Sequence, residues 1–301
     1  MRLLPEGGSY MIKSYCFLFC GFLFTSTAKA DFPSTEKIYE NLKKEHYVVV
    51  PFPYDHKFLD GAMHSFFRFL TLPDSKKDQL KLSLSKKHRR GDLGFTYRQK
   101  SKGHTYNDQK SFFHYHPKLK QKYSKEIEAD PVLKDFISRA NKIWHAVYDA
   151  TDQMLKRLDA KYPGVYDKVL KTDSPHIILR FLKYDIRTPG KYLAKPHYDA
   201  GSFTFALAES GPGLRIGSCP DDLKPIAHHD RQAVFFLGAN IAQLITPDSL
   251  KPGWHDVVQM GEKPADNTYA RWAIVAFIDG HDVGGAPEAL THKWRVDEKL
   301  L

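Results

Sequence analysis

The sequence predicts an α+β chain dominated by β structure, with a jelly-roll core in its carboxyl-terminal half and a helical region before it. Three observations carry this. From Pro175 onward, short β-branched and aromatic runs recur at regular spacing, separated by turn residues such as Pro189-Gly190 and Pro247-Asp248. Between Pro131 and Tyr162 apolar residues recur instead at three- and four-residue steps, the period of a helix. The chain has 301 residues, 42% of them hydrophobic, which is enough apolar material for a sizeable core.

The elements follow in order. Lys13, an apolar run from Tyr15 to Phe24 and the end Ala28-Lys29-Ala30 form the pattern of a secretory signal peptide, with Met11 as an alternative start. The run is too short to span a bilayer comfortably. The expected product is exported, periplasmic or secreted, with no stable membrane span once residues 1–30 are removed; without a working signal it would be cytoplasmic. Cleavage would remove Cys16 and Cys20 and leave only Cys219 of the three cysteines, so no intrachain disulfide is expected. A helix should open at Ser34-Thr35, with Thr35 as its cap. His46 to Pro51 reads as a strand. Leu59, Met63, Phe66, Phe67 and Leu70 sit at helical spacing, with Pro73 ending that helix. The long helix follows, stopped by Pro163-Gly164. Strands are expected over 177–182, 202–208, 213–216, 233–237, 242–245, 256–259 and 270–278. Apart from the leader, the organisation is an amino-terminal region over 31–170 packed on a core over 171–301.

The formal net charge of +10 favours phosphate, nucleic acid or acidic surfaces as partners. The charge is spread, however, and its densest run, Lys86-Lys87-His88-Arg89-Arg90, reads as a solvated loop. There is no zinc-finger spacing and no aromatic RNA-binding box, so no nucleic-acid partner is expected.

The chemistry lies in a histidine-carboxylate pattern. A non-haem iron(II) site needs three protein ligands on one face, and His-x-Asp at a strand end supplies two of them, with a distant histidine closing the face. The spacing occurs twice. His197-Tyr198-Asp199 follows Lys195-Pro196 and leads into the strand from Ser202 to Ala208. His228-His229-Asp230 lies in a polar stretch and reads as a solvated turn. His114-Tyr115-His116, between Phe112-Phe113 and Pro117, reads as packing or pocket wall. Phe112, Phe113, Phe203 and Phe205 are candidates for pocket or core.

At these residues the chain resembles the isopenicillin N synthase-like family of iron(II)/2-oxoglutarate-dependent dioxygenases, over nearly all of the length after residue 30. His46 to Pro51 resembles the family's opening strand. Phe66-Phe67 through Leu72-Pro73 to Lys76-Lys77 resembles its "FF-x-LP-x-x-x-K" run. Asp108 to Phe113 resembles "D-x-K-E-x-F", Pro196-His197-Tyr198-Asp199 resembles "PHTD", and Gly213 to Ile216 resembles "GLQV". Gly238 to Thr246 resembles "GD-x-LQ-x-xT". His255, in Gly253-Trp254-His255-Asp256-Val257, falls at the distal histidine. Arg271 to Phe277 resembles "R-x-S-x-x-xF". Many weak matches in the right order reinforce one another.

The resemblance implies a double-stranded β-helix with a long helix bracing its outside. It implies Fe(II) held by His197, Asp199 and His255, with 2-oxoglutarate and O2 as co-substrates. Arg271 would receive the far carboxylate of 2-oxoglutarate, and Tyr184 would donate a hydroxyl to it. The implied reaction oxidises a small-molecule substrate, most simply by hydroxylation, and releases succinate and CO2. The family pattern is broken in three places. Ala273 replaces a serine that would donate a hydrogen bond of about 1 kcal/mol. Leu182 stands where many relatives have asparagine. The stretch between His255 and Arg271 is longer, through Gly261 to Pro264. These departures keep two alternatives open: an oxidase of the family that does not use 2-oxoglutarate, and a catalytically degenerate binding protein of the same fold. The sequence leaves the primary substrate and the oligomeric state open.

Overall fold

Ser34 starts the first helix. Its hydroxyl accepts from the Lys37 amide at 3.3 Å, so Ser34 and not Thr35 is the cap of α1 (Thr35–Lys44). In the computed structural model, residues 31–84, 91–98, 109–185, 192–245, 250–260, 269–281 and 283 are described. The expected leader with Cys16 and Cys20, the basic run 86–90, Asp108 and the loop from Gly261 lie outside them.

Strand β1 (Tyr47–Pro51) is followed by α2 (His56–Leu70), capped by Asp55. The helix stops at Leu70 with Thr71 as its cap; Pro73 instead opens a short α3 (Asp74–Gln79). Three strands come next, β2 (Leu82–Ser83), β3 (Asp92–Arg98) and β4 (Lys110–Tyr115). Their mixed polar composition hides them from a periodicity argument. Short helices α4 (Pro117–Lys122) and α5 (Ser124–Ala129) lead to α6 (Pro131–Asp159), then α7 (Val165–Leu170). Asp130 caps α6 through the Val132 amide at 3.0 Å, with Pro131 at the first helical position.

The remaining strands are β5 (His176–Tyr184), β6 (Tyr192–His197), β7 (Phe203–Glu209), β8 (Leu214–Gly217), β9 (Lys224–Pro225), β10 (Gln232–Leu237), β11 (Trp254–Val258) and β12 (Arg271–Asp279). They pair antiparallel in two sheets, one of order β1-β10-β7-β12-β5-β4-β3-β2 and one of order β6-β11-β8-β9. This is the mainly β jelly-roll expected. The strand expected over 242–245 is absent: residues 239–243 form a 3-10 turn instead, and 244–245 belong to no strand. The backbone there leaves the sheet to bond the loop before β7, with Ala239 N donating to Asp199 O at 2.7 Å and Asn240 N to Gly201 O at 3.1 Å.

Strand alternation divides the core. On β5, Ile177, Leu179 and Phe181 join the layer under α2 and α6, while Leu182 and Tyr184 join a smaller apolar layer shared by the two sheets. Phe136 of α6 lies 5.0 to 5.5 Å, centroid to centroid, from Phe66, Phe69, Phe113 and Phe181. Truncating such a ring to alanine costs about 3–5 kcal/mol. The helices thus brace the outer face of the large sheet, and its inner face is left for the site. No helix among the described residues is long and apolar enough to cross a membrane.

Candidate metal centre

His197 ends β6 and is registered directly against His255 of β11. Asp199 follows two residues later, and the intervening Tyr198 turns away to an edge contact with Trp254 at 4.6 Å. His197, Asp199 and His255 each offer one donor atom, all within 4.8 Å of one another. Asp199 Oδ1 lies 3.7 Å from Nε2 of both histidines.

The remaining atoms of these side chains are engaged. His197 Nδ1 is 2.6 Å from the Lys195 carbonyl oxygen, and His255 Nδ1 is 3.1 Å from that of Gly253. A carbonyl can only accept, so each Nδ1 carries its proton and each Nε2 presents a lone pair inward. Thr204 donates to Asp199 Oδ2 at 2.7 Å, leaving Oδ1 facing the histidines. Burial, then His255, push the His197 ring down to about 3, so it is neutral and able to bind a metal. For Asp199 burial acts upward, but His255, His197, Thr204 and Arg180 together outweigh it and hold the carboxyl below its ordinary range. Two neutral imidazoles and a carboxylate suit iron(II).

The backbone beneath is tight. A Cβ at Gly238 would meet the Gly201 carbonyl oxygen at 2.2 Å, so only glycine lets this strand end pass under the His197–Asp199 loop. On β11 the residue after His255 is the fully buried Asp256. Arg215 of β8 grips it through both carboxylate oxygens, with Nε at 2.8 Å from Oδ1.

The three residues line a cavity of about 80 Å³ that runs between the sheets along β7 and β12. Arg271 and Tyr184 line it too, as a registered pair across β12 and β5. Arg271 is buried, its Nε donates to the Gly211 carbonyl at 3.2 Å, and burial lowers it to about 10 against an opposing effect of Tyr184. Its Nη2 meets the carboxylate of Glu209. Lys110 and Arg180 add two further cations to the lining. Arg180 is a charge in the middle of an apolar strand, the one sequence signal that could have marked it, and it donates to His114 Nε2 at 2.8 Å. His114 therefore packs behind the lining Arg180 and against Phe112; His116 caps α4 and packs against Trp144. Of the phenylalanine candidates, Phe113, Phe203 and Phe205 belong to the main core and Phe112 to the layer between the sheets.

His228 is not the solvated side chain that its polar neighbours suggest. Its side chain is only 9% exposed and lines the cavity. Nε2 lies 3.3 Å from the Ala206 carbonyl oxygen, and Nδ1 lies 3.2 Å from Glu209 Oε1. The stretch before β10 folds back over the cavity edge, with Ile226 buried in the layer between the sheets. Nothing local in the sequence marks this.

No protein-family model and no curated protein sequence matches the chain. Solved structures do. A full-length Neurospora crassa protein in complex with alpha-KG and thymine matches with a TM-score of 0.59 at 17% identity, over 82% of this chain and 80% of that one. A dioxygenase for auxin oxidation from Arabidopsis thaliana, in a binary complex with 2-oxoglutarate, matches with a TM-score of 0.61 at 15% identity, over 82% and 87%. JOX2 in complex with 2OG, Fe and JA matches with a TM-score of 0.62 at 16% identity, over 85% and 74%. The chain shares the fold of these oxygenases.

Proposed function

We propose that the chain is a mononuclear iron(II) dioxygenase that uses 2-oxoglutarate and O2 to oxidise a small molecule, most simply by hydroxylation. The observation that supports this best is the set of three inward-facing donors, His197 Nε2, His255 Nε2 and Asp199 Oδ1, in one cavity with a buried arginine. Iron(II), when bound, supplies the oxygen activation that side chains lack. The chain's own contribution is to hold and orient. Lys195 and Gly253 carbonyls fix the imidazoles, and Thr204 fixes the carboxylate. Arg271 offers a planar fork to the far carboxylate of 2-oxoglutarate, and Tyr184 offers a hydroxyl beside it. Leu182, Phe236 and Val257 give the cavity an apolar part of its wall. The thymine and JA of the neighbouring structures lend support to a small organic molecule as the class of substrate.

The test is anaerobic titration with iron(II), followed by succinate formation from 2-oxoglutarate under O2. We expect one iron bound, lost in His197→Ala, Asp199→Ala and His255→Ala, and iron-dependent succinate. A parent chain that binds no iron(II), or an alanine variant that binds it as tightly, sinks the proposal. The contact between Glu209 and Arg271 favours a second reading, an oxidase of this fold that dispenses with 2-oxoglutarate; iron binding without succinate would select it. We also propose that the enzyme acts outside the cytosol. Mass spectrometry of the chain from its native host should find residues 1–30 gone, and intact chain in the cytosol counts against it.

A further inference from the structure

Glu209 faces the cavity because β7 carries a bulge. Ala273 pairs with Glu209 and Ile274 with Ala208, but Val275 pairs with Ala206, so Leu207 is an extra residue. Without it, Glu209 would share the core side of the strand with Phe203 and Phe205. With it, the carboxylate turns into the cavity, which is a common use of a bulge beside a functional site.

There Glu209 meets two partners. One carboxylate oxygen contacts Arg271 Nη2; the other lies 3.2 Å from His228 Nδ1. His228 Nε2 must carry a proton, because its neighbour, the Ala206 carbonyl, only accepts. Nδ1 has no hydrogen-bond partner among the described residues. Nδ1 and Oε1 therefore lie close in a buried place without a hydrogen bond between them, a gap that one further proton would close. Burial pushes His228 down to about 4, with the Ala206 hydrogen bond opposing, so the ring is neutral, and the Arg271 guanidinium against Glu209 favours the ionised carboxylate while the cavity is empty. The other charged groups lining the cavity are Lys110 on β4 and Arg180 on β5, with Tyr184 beside them and Asp199 near the opposite end of β7. His56 of α2 reaches only the Glu209 backbone carbonyl, at 3.1 Å.

A bound 2-oxoglutarate would bring a second carboxylate to the same arginine. Two acids that share one site in low dielectric do not both stay ionised. We propose that Glu209 and His228 take up one proton between them when a co-substrate carboxylate reaches Arg271 and that this proton gates the Arg271 site, so that the carboxylate binds only when Glu209 is the neutral acid. Starting from ionised Glu209, binding takes one proton from solvent. The inference rests on the 2-oxoglutarate reading above.

The test is calorimetric binding of 2-oxoglutarate to the anaerobic iron(II)-loaded chain, in buffers of different ionisation enthalpy and over a range of pH. The parent should take up about one proton per molecule bound, and its affinity should fall about tenfold per pH unit once the pair is ionised. Glu209→Gln should bind with no proton uptake and, at high pH, at least about tenfold more tightly than the parent. Parent binding with no proton uptake and flat pH dependence removes the gate and leaves the co-substrate reading standing; it needs no variant. Proton uptake that survives in Glu209→Gln assigns the proton elsewhere and also removes the gate. Absence of binding in both chains at every pH, with iron(II) still bound, removes the co-substrate reading and the gate together.

Discussion

At the Thr204 end of β7, every side-chain atom that does not face the metal position already has a partner: a backbone carbonyl for each imidazole and a threonine for the carboxylate. At the Glu209 end the reverse holds. The group that an incoming anion needs, the Arg271 fork, already lies against an internal carboxylate. The first end is organised to wait for its ligand, with donors fixed and lone pairs bare. The second end is closed on itself. A buried cation left alone would be costly, and an internal acid removes that cost until a ligand competes for the place. The two ends of one cavity therefore solve the empty state differently, the metal end with neutral rings and the arginine end with a counter-ion.

That contrast breaks if the two ends act as one unit. Arg271→Ala should weaken 2-oxoglutarate binding a hundredfold or more, on the about 3–5 kcal/mol lost when one member of a buried pair is removed, and should leave iron(II) binding nearly intact. His255→Ala should lose iron(II) outright. Anaerobic titrations with each ligand, variant against parent, decide it. Unchanged 2-oxoglutarate affinity in Arg271→Ala would mean that the co-substrate does not use this end.

Removing an orienting contact sharpens the contrast at the metal end. Thr204→Val keeps the shape of the side chain but leaves Asp199 Oδ2 without its donor. Losses of this kind cost about 10–100-fold in metal affinity. The expected outcome is weaker iron(II) binding in a chain that still folds cooperatively, read by the same titration and a melting curve. Iron affinity equal to the parent would show that Asp199 is held by the backbone alone.

The same division explains what is legible in the sequence. His197-x-Asp199 and the register of β6 against β11 are built from local spacing and strand polarity, so the metal end can be read from residue order alone. The long α6 is legible for the same reason, as 29 residues of one period leave little choice of element. The arginine end depends on one extra residue in β7, which strict alternation cannot anticipate. Alternation alone assigns Glu209 to the side of Phe203 and Phe205, and it takes the bulge at Leu207 to reverse this. His228 is hidden likewise, because its burial comes from a fold-back and not from apolar neighbours. The 3-10 turn at residues 239–243 reads as strand because its apolar run suits either element. What decides it is the hydrogen bonding to the Asp199 loop, a contact distant in sequence.

Two buried histidines offer a finer comparison. His116 accepts from the Lys118 amide through Nδ1 at 3.2 Å and donates through Nε2 to the Pro175 carbonyl at 3.2 Å, so the neutral ring satisfies both neighbours. Burial pushes it down from 6.5 to about 4. The unfolded chain therefore gains a proton there before the folded chain does. The stability this provides is complete above pH 6.5 and is lost as pH falls from 6.5 towards about 4, at about 1.4 kcal/mol per pH unit for one group. His116→Gln should flatten the acid limb of the stability curve by about that slope, as read by denaturant unfolding at several pH values. His228 is pushed down by burial to about 4 as well, so His228→Gln should flatten the same limb, and it should in addition change the pH dependence of 2-oxoglutarate binding, which His116→Gln should not. If neither substitution changes the pH dependence of 2-oxoglutarate binding, His228 is structural and the arginine end is not proton-linked.

The smallest expected effect is at Ala273. The resemblance makes a serine hydroxyl at this position a donor to the co-substrate, which by itself predicts that Ala273→Ser tightens 2-oxoglutarate binding. The structure sets Ala273 directly opposite Glu209, so the new hydroxyl would meet the internal carboxylate before it met a ligand. In the parent background the change should stay within about 1 kcal/mol, roughly fivefold in affinity. In a Glu209→Ala background the hydroxyl is released to the ligand, and the same substitution should tighten binding by about that amount. Contacting residues commonly show coupling of about 0.5–3 kcal/mol in such a cycle. Dissociation constants for the parent, the two single variants and the double variant give the coupling directly. If the two substitutions add without coupling, Glu209 does not stand between position 273 and the co-substrate, and the missing serine is a defect with nothing in its place.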